Sequence, residues 1–140
     1  MKERVLFLCT GNSARSQMAE AFLRHLGGDR FDVYSAGLSP RAINPLAMTV
    51  MQEIGIDISE QTSKDVKAFL GNMHFSYVIP VCHHAEEQCP RLFLGAARIV
   101  SWPFDDPATC QGSDDECLQR FRDIRDQIAA RIRQWLSEVE

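Results

Sequence analysis

The sequence has no long apolar run, no surplus of basic charge and no repetitive or linker-like tract, and each absence narrows what the chain can be. Its hydrophobic stretches fall far short of the roughly 20 residues a helix needs to cross a bilayer, so no membrane role is expected. Lys and Arg number 15 against 19 Asp and Glu, a formal net charge of −4. A broad nucleic-acid surface is therefore not expected, although a local basic pocket is compatible with that balance. No internal repeat or low-complexity segment divides the chain. Met1 to Cys9 has no small-residue cleavage signal behind it, and the expected location is cytoplasmic. What is present is ordinary globular composition, 45% hydrophobic and 24% charged over 140 residues. One domain, 1–140, burying about two thirds of its unfolded surface, accounts for that length.

Cysteine is plentiful by comparison. Cys9, Cys82, Cys89, Cys110 and Cys117 make an odd count that suits a secreted disulfide scaffold poorly. In a reducing compartment disulfides tend to be transient and catalytic. Cys110 and Cys117 read equally as small buried apolar residues or as exposed thiols prone to adventitious disulfides.

Arg4 to Leu8 is an apolar strand-like run broken by Cys9-Thr10-Gly11-Asn12. From Ser13 to Leu26, Met18, Ala19, Phe22, Leu23 and Leu26 recur at helical spacing, and Gly27-Gly28 stops them. Phe31 to Ala36 is a second strand. Pro45 to Ile54 is a helix, with Pro at its first position and Gly55 behind it. Asp65 to Leu70 is a weaker helix. Tyr77 to Val81 is a third strand blemished by Pro80, and Arg98 to Ser101 a short fourth. Ser113 and Glu116 form a capping box, after which Leu118, Phe121, Ile124, Ile128, Ile132, Trp135 and Leu136 lay one apolar stripe along a final helix. Strands alternating with helices predict an α/β fold with a parallel sheet and right-handed crossovers. The C-terminal ends of such strands share one edge, where ligands bind. Cys9, Ser35, Cys82 and the pair Asp105-Asp106 all fall at those ends.

Cys9-Thr10-Gly11-Asn12-Ser13-Ala14-Arg15-Ser16 joins a strand to a helix. Successive amides of such a loop can converge on an anion, with the positive helix end behind them. Arg15 adds a planar fork suited to a tetrahedral oxyanion, and Gly11 permits close backbone approach. The same positive surroundings are expected to lower the Cys9 pKa and favour its nucleophilic thiolate.

Cys9-x5-Arg15-Ser16 resembles the phosphate loop of low-molecular-weight protein tyrosine phosphatases. The chain is more similar still to the thioredoxin-coupled arsenate reductases built on that fold. The resemblance runs through Cys9 to Glu20, Tyr34-Ser35-Ala36-Gly37, Gly55 to Ser59, Cys82-x6-Cys89-Pro90 and Trp102-x-Phe104-Asp105-Asp106-Pro107, nearly the whole chain. It implies a single-domain three-layer sandwich with a four-stranded sheet in the order 2-1-3-4. It also implies that the amides of Thr10 to Ser16 bind arsenate, with phosphate or sulfate able to occupy the same loop. Cys9 would attack arsenic, Cys82 would attack Cys9, and a Cys9–Cys82 disulfide would release arsenite. Cys89 would then form a Cys82–Cys89 disulfide, and thioredoxin, fed by NADPH through thioredoxin reductase, would reduce it. No tightly bound cofactor or metal is implied, and a monomer is expected. Asp106 takes the place of the family's general acid, with Asp105 the less favoured candidate.

His83 to Gln88 is rich in helix formers and Pro90 is expected to end that helix. Seven helical residues span about 10.5 Å, whereas a disulfide needs Cα atoms within roughly 7 Å. The segment must therefore unwind before Cys82 and Cys89 can join. Asn12 is expected to hold the loop through its side chain, Ser16 to donate to the Cys9 sulfur, and Ser35 and Glu20 to support Asn12. Potassium-binding relatives carry a carboxylate after the Thr-Ser pair that is Thr62-Ser63 here. This chain has Lys64, whose ammonium is expected to stand in for the cation near Glu20. Ala14 replaces a further cysteine of many relatives. Ala108-Thr109 after Asp106-Pro107 replaces the aromatic grip of phosphotyrosine phosphatases. Two other readings fit these residues: a phosphatase working through a Cys9 phosphoenzyme, and a non-catalytic zinc- or arsenite-binding protein using Cys82, His83, His84 and Cys89.

Overall fold

The computed structural model describes residues 2–70, 73–92 and 98–139; the side chains of 88–92 lie outside that description. Three strands, β1 (Glu3–Cys9), β2 (Phe31–Gly37) and β3 (Tyr77–Pro80), form a parallel sheet in the order β2-β1-β3. Four α-helices accompany them among the described residues: α1 (Arg15–Gly27), α2 (Pro45–Gln52), α3 (His83–Leu92) and α4 (Asp114–Glu138).

The expected fourth strand takes its predicted place beside β3 but is reduced to a bridge, Val78 to Ile99. The Val78 amide donates to Arg98 O at 2.9 Å, Val100 donates to Val78 O at 3.1 Å, and Trp102 donates to Pro80 O at 2.9 Å. The next rung of such a parallel ladder would use the amide of residue 80. Proline has none, so the ladder is interrupted there. The order 2-1-3-4 thus holds while the last position lacks continuous pairing.

Register explains the layers. Val5 pairs with Val33 and Tyr77, and Phe7 with Ser35 and Ile79, so these residues share a face. On that face Trp135 of α4 packs against Phe31, Tyr77 and Trp102. Ser35 meets Glu20 of α1 there as well. Tyr34 points to the opposite face and forms an edge-to-face cluster with Phe69 and Phe75. Helices and an aromatic segment thereby cover the two sides of the sheet.

The long helix forms as its pattern dictates. The Ser113 hydroxyl caps α4 by accepting from the Glu116 amide at 3.2 Å, and Phe121, Ile124, Ile128, Ile132 and Trp135 are buried. The helix expected at Asp65–Leu70 is shorter, a 3-10 turn over Val66–Ala68 whose Asp65 carboxylate accepts from Lys67 N. Helix α3 runs through Pro90 to Leu92 rather than ending at Pro90.

Cys110 and Cys117 are half-buried and joined by a disulfide, with Cα atoms 5.5 Å apart. The bond ties the segment after Asp106 to the first turn of α4. Reducing it is expected to lower stability by about 2.5 kcal/mol from the entropy of the short loop it closes. Urea unfolding with and without a dithiol measures this; an unchanged midpoint would count against a structural role for the bond.

Candidate active site

The loop between β1 and α1 is held from outside by its carbonyls. Leu38 N donates to Cys9 O (3.1 Å), Ser39 N to Thr10 O (2.8 Å), Arg41 N to Gly11 O (2.8 Å) and Asn44 N to Ser13 O (2.9 Å). Gln17 Nε2 takes Asn12 O at 2.9 Å, and Met18 N takes Ala14 O at 2.9 Å. The segment after β2 thus zips along the loop one carbonyl at a time. The amides of residues 11–14 have no acceptor among the described residues, and the pocket they border is lined by Cys9, Thr10, Gly11, Ser13, Ala14, Arg15, Arg41, Asp106 and Ala108, with a volume of about 200 Å³. A cavity of this size and polarity suits a small oxyanion. Gly37 makes the zip possible: a Cβ there would lie 2.8 Å from Thr10 O and 2.9 Å from Asn12 N.

Asn12 is the keystone of the loop. It adopts φ 48°, the left-handed region that asparagine tolerates better than most residues. Its Nδ2 donates to Ser16 Oγ at 2.8 Å and Ser35 Oγ at 2.9 Å, while its Oδ1 accepts from Lys64 N at 2.8 Å. Ser35 passes the chain on to Glu20 Oε1 at 2.5 Å. Glu20, 4% exposed, is paired with Arg24 at 2.8 Å and with Lys64 Nζ at 3.6 Å. The ammonium thus sits beside the buried carboxylate. Ser16 Oγ accepts from Asn12, and among the described residues no hydrogen bond joins it to the Cys9 sulfur, the partner expected from the sequence.

Arg15 closes the opposite wall. Its Nη1 donates to Phe104 O at 3.0 Å, and its Nη2 lies 3.5 Å from Asp106 Oδ2. Asp106 also begins the 3-10 turn Pro107–Thr109 by accepting from Ala108 N at 2.9 Å, which holds its carboxylate at the pocket. Asp105, by contrast, points to the surface and lies 3.6 Å from Arg120.

Cys82 meets Cys9 from the end of β3, and both are 3% exposed. The Thr10 hydroxyl lies 3.5 Å from the Cys82 sulfur, and Ala85 N donates to that sulfur at 3.4 Å. Cys82 therefore caps the positive end of α3 with its sulfur. The hydrogen bond from Cys9 lowers the Cys82 pKa to about 5, with Thr10, Ala85 and Arg15 adding to the effect against burial. The same bond, then burial, pushes the Cys9 thiol well above the ordinary range, although Arg15 and the Thr10 amide pull it down. The two sulfurs thus share one hydrogen bond that favours charge on Cys82, while Arg15 and the Thr10 amide lower Cys9, as expected of this loop. The backbone of Cys89 belongs to α3, while its side chain lies outside the described residues. His83 and His84 are exposed, and among the described residues no cluster of three His, Cys, Asp or Glu side chains is placed to hold a metal.

Sequence reasoning missed Gln17, Gln61 and Arg41. Gln17 is fully buried and bridges Asn12 O to Thr62 O, and Gln61 donates to its Oε1 at 2.7 Å. Gln17 fell within a recognised block, but only the folded loop shows which carbonyls it takes. Arg41 had no spacing signal; it reaches the pocket because the stretch after β2 runs beside the loop.

A parallel α/β sheet with a Cys-x5-Arg oxyanion loop at its edge defines the class. The description of the low molecular weight phosphotyrosine protein phosphatases matches residues 4–140, and the chain belongs to that family. Within it, the chain is 47% identical over 132 residues to the arsenate reductase of Halalkalibacterium halodurans, covering 94% of each. It is similar in structure to an arsenate reductase in a phosphate-binding state (TM-score 0.82, 33% identity) and to one in an oxidised state (TM-score 0.83, 32% identity), each covering 99% of both chains.

Proposed function

We propose that the protein reduces arsenate to arsenite through Cys9, Cys82 and Cys89, with thioredoxin restoring the thiols. The observation that carries this reading is the buried Cys82 sulfur held against Cys9. A phosphatase needs one nucleophilic sulfur and a water, and has no use for a second sulfur there. The curated relatives bearing the arsenate reductase name support the same substrate.

Arsenate enters the loop with its oxygens on the amides of 10–16 and the Arg15 fork. The Cys9 sulfur attacks arsenic. Its proton and one arsenate hydroxyl leave together as water, with Asp106 delivering the proton to the departing oxygen. The Cys82 sulfur attacks the Cys9 sulfur as a thiolate, the form its contacts with Thr10 and Ala85 favour. The As–S bond pair goes to arsenic, which becomes arsenite, and two thiols become a disulfide: two electrons lost by sulfur, two gained by arsenic. Cys89 then attacks Cys82 and frees Cys9. Because Cys82 and Cys89 are seven residues apart around α3, that last bond needs the helix to unwind. The unwound segment presents the Cys82–Cys89 bond to an external dithiol. Lys64 takes the place of a structural cation beside Glu20. A cytoplasmic monomer fits a protein that draws on this reductant.

A coupled assay tests the reading. With thioredoxin, thioredoxin reductase and NADPH, arsenate should drive NADPH oxidation with one arsenite formed per NADPH. Ester hydrolysis without arsenate-dependent NADPH loss would mark a phosphatase instead.

A further inference from the structure

Arg41 stands at the mouth of the pocket and is absorbed by none of the steps above. Its position is fixed by the backbone: Arg41 N donates to Gly11 O at 2.8 Å, within the zip that holds the loop. Its stem crosses the loop at Gly11, where Cδ and Cγ lie 3.7 and 3.8 Å from the place a Cβ would occupy. Among the described residues the guanidinium has no carboxylate or hydrogen-bond partner, whereas Arg15 is engaged by Asp106 and Phe104 O.

Charge accounting gives this free cation a task. The charged side chains lining the pocket are Arg15, Arg41 and Asp106. Asp106 lies 3.5 Å from Arg15 and offsets its charge, so Arg41 supplies the net positive charge among them. The whole chain adds a net charge of −4. Without Arg41, an arsenate dianion would meet no net positive side-chain charge at the pocket and a protein of its own sign.

We propose that Arg41 recruits the oxyanion, an exposed cation at the pocket mouth that supplies the positive charge Asp106 offsets on Arg15. The inference rests on the reading that an oxyanion enters this loop. It acts on capture more than on chemistry, because the reacting sulfur, the acid and the Arg15 fork are complete without it. Charge, and not fork geometry, is what it supplies.

Arg41→Gln and Arg41→Lys, compared with wild type, test it by two independent readouts. In Arg41→Gln the KM for arsenate should rise about tenfold with kcat within about twofold, and the fall of kcat/KM with added salt should flatten. Calorimetric binding of inorganic phosphate should weaken by the same factor of about ten. Arg41→Lys should recover most of both losses. Unchanged phosphate affinity and salt dependence in Arg41→Gln would overturn the proposal, as would a lysine variant as weak as the glutamine one. If wild type turned over no arsenate but the phosphate difference persisted, the proposed reaction would fall and the anion-recruiting role would stand.

Discussion

Cys82→Ser is expected to abolish catalytic turnover of arsenate, with kcat falling at least about a thousandfold, because a hydroxyl cannot displace arsenite from the Cys9 sulfur. The loss should stop the reaction at one defined point. Cys9 would still bond to arsenic, and no arsenite would be released. Cys89→Ser should fail later, releasing about one arsenite per protein and accumulating the Cys9–Cys82 disulfide. Rapid-quench measurement of arsenite separates the two arrests. Sustained turnover by either variant would require a different route for the electrons.

The second large effect concerns Asn12. Asn12→Ala removes three hydrogen bonds from a fully buried side chain and leaves the Ser16 and Ser35 hydroxyls and the Lys64 amide to find other partners. Each buried group left unsatisfied costs about 1–3 kcal/mol, and alanine at φ 48° adds about 1 kcal/mol of backbone strain. A total near 4 kcal/mol corresponds to a fall in Tm of roughly 10–15 °C for a chain of this size. Asn12→Gly relieves the backbone term and loses the same bonds, so it should sit about 1 kcal/mol above the alanine variant in stability. Arsenate KM should rise in both, because the chain from Asn12 through Ser35 to Glu20 sets where the loop amides point. A Tm within 2–3 °C of wild type would show that the loop holds itself without this network.

These two sites also show what a sequence can convey. The Cys9 to Ser16 spacing defines a strand, a turn and a helix start almost by itself, because few other roles need those residues at that junction. The gathering of Cys9, Cys82 and Asp106 follows from parallel topology, since strand ends share an edge whatever lies between them. The apolar stripe from Phe121 to Trp135 was equally plain. What stayed hidden depends on one residue meeting another by shape. Pro80 was visible as a blemish, yet only the ladder shows that its missing amide interrupts the fourth strand. Arg41 lies at the pocket through a backbone path with no side-chain pattern. Thr10, Ala85 and Cys9 converge on the Cys82 sulfur, and no linear spacing records that convergence. Cys110 and Cys117 lie seven residues apart, a separation that fits either a pair or two solitary thiols until the turn between them is drawn.

The proposed reaction depends on two electrons passing from sulfur to arsenic through successive thiols. The most direct measurement is peptide mass mapping of the alkylated protein, quenched after one turnover with arsenate in the absence of any external reductant. A Cys82–Cys89 linkage with Cys9 free and alkylated is the predicted state, formed in step with arsenite. Arsenite released while Cys82 and Cys89 both remain alkylatable would contradict it.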